Sequence, residues 1–281
     1  MRGKHRTVRP GTGIGHAGLA AAGIAVGTWL AAGLPEAGAA APNANYDEDK
    51  VGTFTLPDPL VCADGTKVTD AKTWREKRRP ELLRLFEDHM FGRSPGRPPA
   101  LAFKVVSNDT NALGGLATRR EVDVCFAGAD REPRAQVLIY LPNRAPKPVP
   151  LFLTLNFQGN ASIHPDPAIR LPVSWMADRN PGVVSNRATG ATRGSQASRW
   201  PVERILSRGY GLATVYYGDI DPDFDDGFQN GVHPLFYAAG QTRPASNEWG
   251  SIAAWAWGLS RVMDYLETDR DVDAKRVAVM G

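Results

Sequence analysis

The sequence closes with the stretch Arg276-Val277-Ala278-Val279-Met280-Gly281, which follows a predicted helix and stops at a glycine. The four residues between the arginine and the glycine are all apolar, so they lack the alternation of a strand that is exposed on one face. Strands that are covered on both faces, as in a parallel sheet, have such continuous apolar patterns. The stretch therefore predicts a buried strand, and the segments before it decide which sheet it joins.

Two earlier apolar runs predict strands of the same kind. Residues 151–155 and 212–217 are short and almost wholly apolar, and a helix at residues 201–208 is predicted between them. A second helix, capped by Asn247 and spanning residues 248–267, has apolar residues at three- and four-residue steps and leads to the closing stretch. This alternation of strands and helices is typical of a parallel sheet with helices on its faces.

The first part of the domain has a different pattern. Strands are predicted at residues 101–106, 117–126 and 135–141, and no helical pattern lies between them. Such close succession indicates antiparallel strands at the edge of a mixed sheet. A helix over residues 80–91 precedes them, and its apolar residues are predicted to face the core: Leu82, Leu83, Leu85, Phe86 and Met90.

Chemistry is predicted where the central strand at residues 151–155 ends. In an α/β-hydrolase the loop after this strand supplies a backbone N–H to the oxyanion hole, and a glycine lets the main chain approach the substrate. The alternative is an ordinary strand-to-loop turn. The candidate loop consists of Asn156, Phe157, Gln158, Gly159 and Asn160.

Gly281 has the position of the first glycine in the Gly-x-Ser-x-Gly turn that carries a hydrolase nucleophile. On this interpretation the nucleophilic serine is expected two positions beyond Gly281. The expected fold class is α/β, specifically an α/β-hydrolase fold. Its three α/β/α layers would hold a mixed, mostly parallel central sheet that is incomplete on its C-terminal side.

The N-terminal segment predicts export. It has a basic start, an apolar stretch at residues 17–34 and small residues, Ala37-Gly38-Ala39, that fit a signal-peptidase site. We therefore expect a signal peptide at 1–39, a disordered linker at 40–50, a domain at 51–281 and a secreted or periplasmic location. An uncleaved membrane anchor is the alternative.

The formal net charge of +3 comes from this leader, because the rest of the chain has equal numbers of basic and acidic residues. A balanced domain gives no electrostatic reason to expect a nucleic-acid or anionic-membrane partner.

The remaining polar motifs are weak indications of a site. The chain has two cysteines, Cys62 and Cys125, which after export can form one disulfide; two separate buried thiols are the alternative. Neither has a cysteine or histidine at metal-ligand spacing, so no metal is expected. The aspartates of residues 219–226 do not fit a calcium-binding EF-hand loop, and His164 is predicted to be a solvated loop residue.

Three longer segments carry a family resemblance. Residues 80–93 (PELLRLFEDHMFGR), 217–228 (YGDIDPDFDDGF) and 248–281 are similar to the bacterial glucuronoyl esterases, and the resemblance extends from about residue 56 to 281. It implies an α/β-hydrolase that needs no cofactor and cleaves the ester between lignin alcohols and 4-O-methyl-glucuronic acid on xylan. It also implies a serine nucleophile in a Gly-x-Ser-Arg-x-Gly-Lys segment, whose arginine helps to hold the oxyanion.

The resemblance places the nucleophile, the catalytic acid and the histidine beyond Gly281, so no catalytic residue can be assigned within the 281 residues. We therefore expect a secreted serine-type carboxylic ester hydrolase, with glucuronoxylan or a small ester as its substrate, and expect the chain alone to be inactive. Two alternatives stay open: an acetylxylan esterase, and a non-catalytic carbohydrate-binding hydrolase fragment.

Overall fold

A computed structural model describes residues 45–281. The predicted signal peptide and the first part of the predicted linker lie outside these residues. Residues 45–57 are exposed and contain one 3₁₀ turn, Glu48–Lys50, which the Asp47 side chain caps. Asp58–Gly281 forms a separate compact unit. Within residues 45–281 we find no helix whose length and apolar character would let it cross a bilayer.

A six-stranded mixed sheet organises the compact unit. Its strand order is β1-β2-β3-β7-β4-β8, and four of the six strands (β2, β7, β4 and β8) point the same way, as predicted for a mixed, mostly parallel sheet. The two shortest strands, β5 and β6, form a separate hairpin. The strands are β1 (Ala102–Ala112), β2 (Ala117–Cys125), β3 (Arg134–Pro142), β4 (Val149–Asn156), β5 (Val183–Val184), β6 (Arg187–Ala188), β7 (Gly211–Tyr216) and β8 (Val272–Met280).

Strand β4 lies between two parallel neighbours that come later in the chain. Thr154 pairs with Thr214 of β7 on one side and with Met280 of β8 on the other. The chain therefore leaves β4 for one side of the sheet and then crosses to the other side. In open α/β sheets such a switch point opens a crevice at the carboxyl ends of the strands, where ligands bind.

Helices cover both faces of the sheet. Alternate residues of β3 enter different apolar clusters: Val137 and Ile139 join the cluster of α4 (Ser251–Leu266), whereas Leu138 and Tyr140 join that of α3 (Val202–Ser207). This division follows from the two-residue period of a strand. The result is the predicted three-layer α/β/α arrangement.

A continuous helical segment precedes the sheet. It consists of α1 (Ala71–Thr73), a π-helical turn (Trp74–Arg78), α2 (Arg79–Phe86) and a second π-helical turn (Glu87–Phe91). The Asp70 carboxylate caps its start by accepting the Thr73 N–H at 2.8 Å. Gly92 ends it at φ +74°, and a Cβ atom there would lie 2.0 Å from the Glu248 carbonyl oxygen, so only glycine fits.

The prediction that this helix buries its apolar side was wrong. Four of the five predicted core residues are exposed, and the fifth, Leu82, is half-buried. The segment meets the core through Phe91 at its end, because the chain turns there to pair with residues near Glu248. The exposed side chains are Leu83, Leu85, Phe86 and Met90.

The predicted cap of α4 was also wrong. The helix begins at Ser251 after Gly250, which has no side-chain capping bond. Asn247 instead accepts the Arg93 N–H on its carbonyl oxygen at 2.9 Å. Pairing with the segment after Gly92 keeps residues 247–249 out of the helix.

Candidate functional site

A cavity of about 280 Å³ lies at the carboxyl ends of β4 and β8. The last residues of β4 and the start of its loop form one part of the wall, and the long loop at residues 160–199 forms another. The structure thus brings Gly281 next to three residues of the candidate loop. The lining residues are Thr154, Leu155, Asn156, Phe157, Gln158, Ser162, Gln196, Arg199, Trp200, Met280 and Gly281.

Gly159 has a backbone conformation that a larger residue would not tolerate. Its φ is +81°, and a Cβ atom would lie 2.5 Å from Cγ of Pro172. Its carbonyl oxygen accepts the Ser162 hydroxyl at 2.8 Å and the Ser162 N–H at 3.0 Å. Glycine is therefore required for the turn that carries the candidate loop from β4 into the 3₁₀ turn Asn160–Ser162.

A chain of buried amides holds the base of the loop. The Asn156 side-chain nitrogen donates to Oδ1 of Asn160 at 2.7 Å and to the Thr214 hydroxyl at 3.0 Å. The Asn160 side-chain nitrogen donates to the Gln136 carbonyl at 2.7 Å. These contacts connect the end of β4 with β7 and β3.

The side chains at the cavity combine apolar surface with unpaired polar groups. Phe157 is 63% exposed, and its ring lies 5.1 Å from that of Tyr217. Trp200 is half-buried and packs against the α3 cluster, whereas the neighbouring Arg199 is exposed. The buried oxygens Oδ1 of Asn156 and Oε1 of Gln158 accept no hydrogen bond from the described residues. The cavity therefore offers an aromatic surface, a cation and hydrogen-bond acceptors.

Ser162 is the one serine among the cavity-lining residues. Its hydroxyl donates to the Gly159 carbonyl. No histidine of residues 45–281 lines the cavity. Ser162 therefore fixes the turn and lacks the histidine partner that a serine nucleophile requires.

Asp219 is a buried carboxylate that sequence reasoning did not single out from its acidic segment. It accepts the Ser174 hydroxyl at 2.5 Å and the Gln136 N–H at 3.0 Å. Burial raises the pKa of this carboxyl to about 6, against the lowering effect of the two hydrogen bonds. The backbone carbonyl of Gln136 also accepts the Asn160 amide, so Gln136 connects Asp219 to the hydrogen-bonded asparagines.

The other aspartates of residues 219–226 have separate partners. Asp223 accepts the Tyr217 hydroxyl, and Asp225 and Asp226 accept backbone N–H groups of their own turn. These are the side-chain-to-backbone contacts of an aspartate-rich turn. Asp221 is fully buried, with its Oδ1 3.5 Å from Nε2 of His233. No periodic pattern indicated this pair, since Asp221 lies in a loop and His233 begins a short 3₁₀ turn.

The prediction of a solvated His164 was wrong. Its Nε2 lies 3.0 Å from the Glu203 carboxylate, and its Nδ1 accepts the Asp166 N–H at 3.0 Å. Asp166 is engaged elsewhere, because its carboxylate pairs with Arg119 at 2.5 Å. His164 therefore connects the long loop to α3. Glu203 is 39 residues further along the chain, so no local sequence pattern could predict this contact.

The predicted disulfide is not formed. Cys62 and Cys125 are both free and buried, as the alternative interpretation proposed. Cys62 belongs to a tight turn closed by its bonds with Gly65 and Thr66, whereas Cys125 ends β2. Burial raises the pKa of the Cys125 thiol, which disfavours its reactive thiolate.

Comparisons with known proteins identify the chain's relatives. A family model described as "Glucuronyl esterase, fungi" matches residues 228–281. Carbohydrate esterase MZ0003, from an unknown prokaryotic organism, is 48% identical over 238 residues, which are 84% of this chain and 55% of that protein. The 4-O-methyl-glucuronoyl methylesterase of Thermothelomyces thermophilus is 26% identical over 82% of this chain and 43% of its own length.

Solved structures agree with these sequence matches. The glucuronoyl esterase from Solibacter usitatus is 48% identical, with a TM-score of 0.77 over 83% of this chain and 58% of its own. A promiscuous CE15 esterase from a marine bacterial metagenome is also 48% identical, with a TM-score of 0.74 over 84% of this chain and 59% of its own. The 281 residues thus span a little more than half the length of these proteins. The chain is similar to the bacterial glucuronoyl esterases over that part of their length and shares their α/β-hydrolase fold there.

Proposed function

We propose that the protein is a secreted serine-type carboxylic ester hydrolase that cleaves the 4-O-methyl-glucuronoyl ester between lignin and xylan. In this proposal the described residues supply the sheet, the candidate oxyanion loop at residues 156–160 and one wall of the substrate cavity. The serine, its histidine and its acid belong to the part of the family's length that these 281 residues do not span.

One observation carries the proposal. The carboxyl ends of β4 and β8 meet at the cavity, and the turn that requires Gly159 follows one strand while Gly281 follows the other. An α/β-hydrolase needs these two strand ends side by side, because the oxyanion donor and the nucleophile must contact the same carbonyl group.

In the proposed reaction the serine attacks the uronate carbonyl and the histidine takes its proton. The alcohol leaves with that proton, and water then releases the uronic acid. The negative charge that develops on the carbonyl oxygen requires N–H donors that are already in place, which is the role assigned to the loop. We assign Gly281 to the first position of the nucleophile turn.

The test uses the product of the whole open reading frame, purified from the culture medium, with benzyl glucuronate and glucuronoxylan-linked esters as substrates. Release of glucuronic acid, together with a single serine labelled by phenylmethylsulfonyl fluoride, is the expected result. Acetate release from acetylated xylan without glucuronate release would instead support the acetylxylan esterase. Xylan binding without hydrolysis of either ester would support a binding protein.

Assaying the 281-residue chain in parallel tests the expectation that the catalytic residues lie outside it. We expect no ester hydrolysis from this form, because no nucleophile–histidine pair is found among the cavity-lining residues. Hydrolysis by the purified 281-residue form would show that the catalytic groups lie within it.

A further inference from the structure

We propose that Asn156 and Asn160 are positioning residues for the ester hydrolysis, because their side chains hydrogen-bond across the base of the loop to which the oxyanion donors are assigned. The inference rests on the proposed function, since it assigns the oxyanion role to residues 156–160. It adds two side chains, neither of which acts as acid, base or nucleophile.

The two asparagines stand on either side of the loop and are bonded across it. Asn156 is 2% exposed and Asn160 is 4% exposed, so their amides are removed from water. Both hydrogens of the Asn156 amide are used, on Asn160 and on Thr214. Hydrogen bonds in a site of low dielectric are strong, and loss of one partner leaves the other buried group unsatisfied.

The second asparagine extends the contact to another strand. Asn160 donates to the carbonyl of Gln136, immediately after the start of β3. Phe157, Gln158 and Gly159 thus lie between two residues that are fixed to β7 and β3. Gly159 has wide conformational freedom, so side-chain bonds that fix both ends of the segment restrict its N–H directions.

The pair also leaves one atom unused. Oδ1 of Asn156 is buried, belongs to a cavity-lining residue and has no partner among the described residues. A purely structural asparagine in a packed core would have its carbonyl oxygen satisfied. This oxygen is available to a hydroxyl or N–H group in the cavity. The hydrogen-bonded pair Asn156–Asn160, called the clamp below, therefore has one free acceptor at the cavity.

Two changes test the clamp in the whole protein. Asn160→Asp keeps the acceptor for Asn156 but sets a carboxylate against the Gln136 carbonyl. Thr214→Val removes one acceptor at constant shape, and Thr214→Ser restores it. We expect the first two variants to lower kcat by about 10- to 100-fold with KM changed by less than about 3-fold, because misplaced donors weaken transition-state contacts. Thr214→Ser should recover most of kcat.

Asn143→Asp is the matched control. Asn143 also donates from its amide to backbone carbonyls, those of Thr110 and Gly115, at 2.9 and 3.0 Å, but it lies in the turn after β3, and its partners are all outside the loop at residues 156–160. Its variant should lose stability and retain kcat within about 3-fold. Equal losses of kcat in Asn143→Asp and Asn160→Asp, or an unchanged kcat in Asn160→Asp, would overturn the positioning role.

A second measurement does not depend on activity. Hydrogen exchange followed by mass spectrometry should show faster exchange of the peptide spanning residues 156–160 in Asn160→Asp, but not in Asn143→Asp. If wild-type protein fails to hydrolyse glucuronate esters, the proposed function fails while this experiment still tests the clamp. Unchanged exchange in Asn160→Asp would refute the clamp even in an active esterase.

Discussion

Asp219 is a buried carboxylate beside the asparagine pair, and its environment disfavours the charged form. Because burial raises its pKa from 3.8 to about 6, the folded protein binds a proton there more tightly than the unfolded chain does. The stability that this proton contributes is complete below pH 4 and is lost as the pH rises through about 6. Two pKa units correspond to about 3 kcal/mol of unfolding free energy.

Replacing Asp219 with asparagine should therefore remove this pH dependence of the unfolding free energy. We expect Asp219→Asn to gain stability relative to wild type between pH 4 and pH 7, measured by urea unfolding at several pH values. Asp225→Asn, in the exposed part of the same segment, is the control and should follow the wild-type profile. Parallel profiles for wild type and Asp219→Asn would show that the carboxyl titrates normally.

Phe157 is expected to select the alcohol part of the ester. Its exposed ring lines the cavity beside Tyr217, so an aromatic leaving group can pack against it. An aromatic pair contributes about 0.5–1.5 kcal/mol, so Phe157→Ala should reduce the kcat/KM preference for benzyl over methyl glucuronate by about 2- to 10-fold.

Tyr210→Ala provides the comparison for Phe157. Tyr210 is also partly exposed and packs on Phe152, but it does not line the cavity. Its variant should leave the benzyl-to-methyl ratio unchanged. A preserved ratio in Phe157→Ala would assign alcohol selection to other residues.

At the scale of elements, the positions of the strands were predicted better than the buried side of the helix at residues 80–91. All six strands of the main sheet were located, because continuous apolar runs such as residues 151–155 are typical of strands in such a sheet. The burial predicted for the closing strand was wrong, because within residues 45–281 β8 is an edge strand that pairs only with β4, and Val279 is 75% exposed. The side on which a helix is buried depends on tertiary contacts. The apolar residues of α2 share one side of the helix, and that side is exposed, so the local pattern identified an apolar side without showing whether another element covers it.

The same distinction applies to the site. Of the loop predicted at residues 156–160, Asn156, Phe157 and Gln158 line the cavity, whereas Gly159 and Asn160 do not. The loop could be singled out because it follows a strand directly and contains a glycine, and its oxyanion role stays a prediction. Trp200 and Arg199 were not, since they enter the cavity from a long irregular loop without periodicity. The Asn160–Gln136 contact joins the 3₁₀ turn after β4 to β3, and no local sequence pattern indicates such a pair.

Replacing a leucine of the core and a leucine of α2 with alanine should show, in the free energy of unfolding, that only the first is buried. Leu151, in β4, is fully buried, whereas Leu85, in α2, is exposed. We expect Leu151→Ala to lower the free energy of unfolding by about 2–5 kcal/mol. Leu85→Ala should change it by less than about 0.5 kcal/mol. Chemical denaturation measures both, and a large loss in Leu85→Ala would mean that α2 is covered in solution.

At the scale of the whole molecule, Arg120 joins distant parts of the chain. Its guanidinium, on β2, pairs with Asp269 and, at 3.1 Å, with Asp271, both in the connection from α4 to β8. Asp269 and Arg120 are largely buried. Removing one member of a buried pair leaves the other charge uncompensated, which costs about 3–5 kcal/mol.

We therefore expect Arg120→Gln to destabilise the protein by several kcal/mol, on the order of the cost of breaking a buried pair. Arg97→Gln is the control, since Arg97 is exposed and lies 3.6 Å from Asp264. The control should change stability by less than about 1 kcal/mol. Thermal and urea unfolding distinguish the two, and equal small effects would show that the Arg120 pair is solvated.

The position of β4 between β7 and β8 also has a consequence during synthesis. Leu151 pairs with Gly211 and Val277, which the ribosome adds 60 and 126 residues later. At about 5–20 residues per second, the backbone groups on both edges of β4 therefore stay unpaired for several seconds after the strand is synthesised. Open strand edges recruit other strands. We therefore expect a nascent chain of this strand order to depend on chaperones until β7 has emerged.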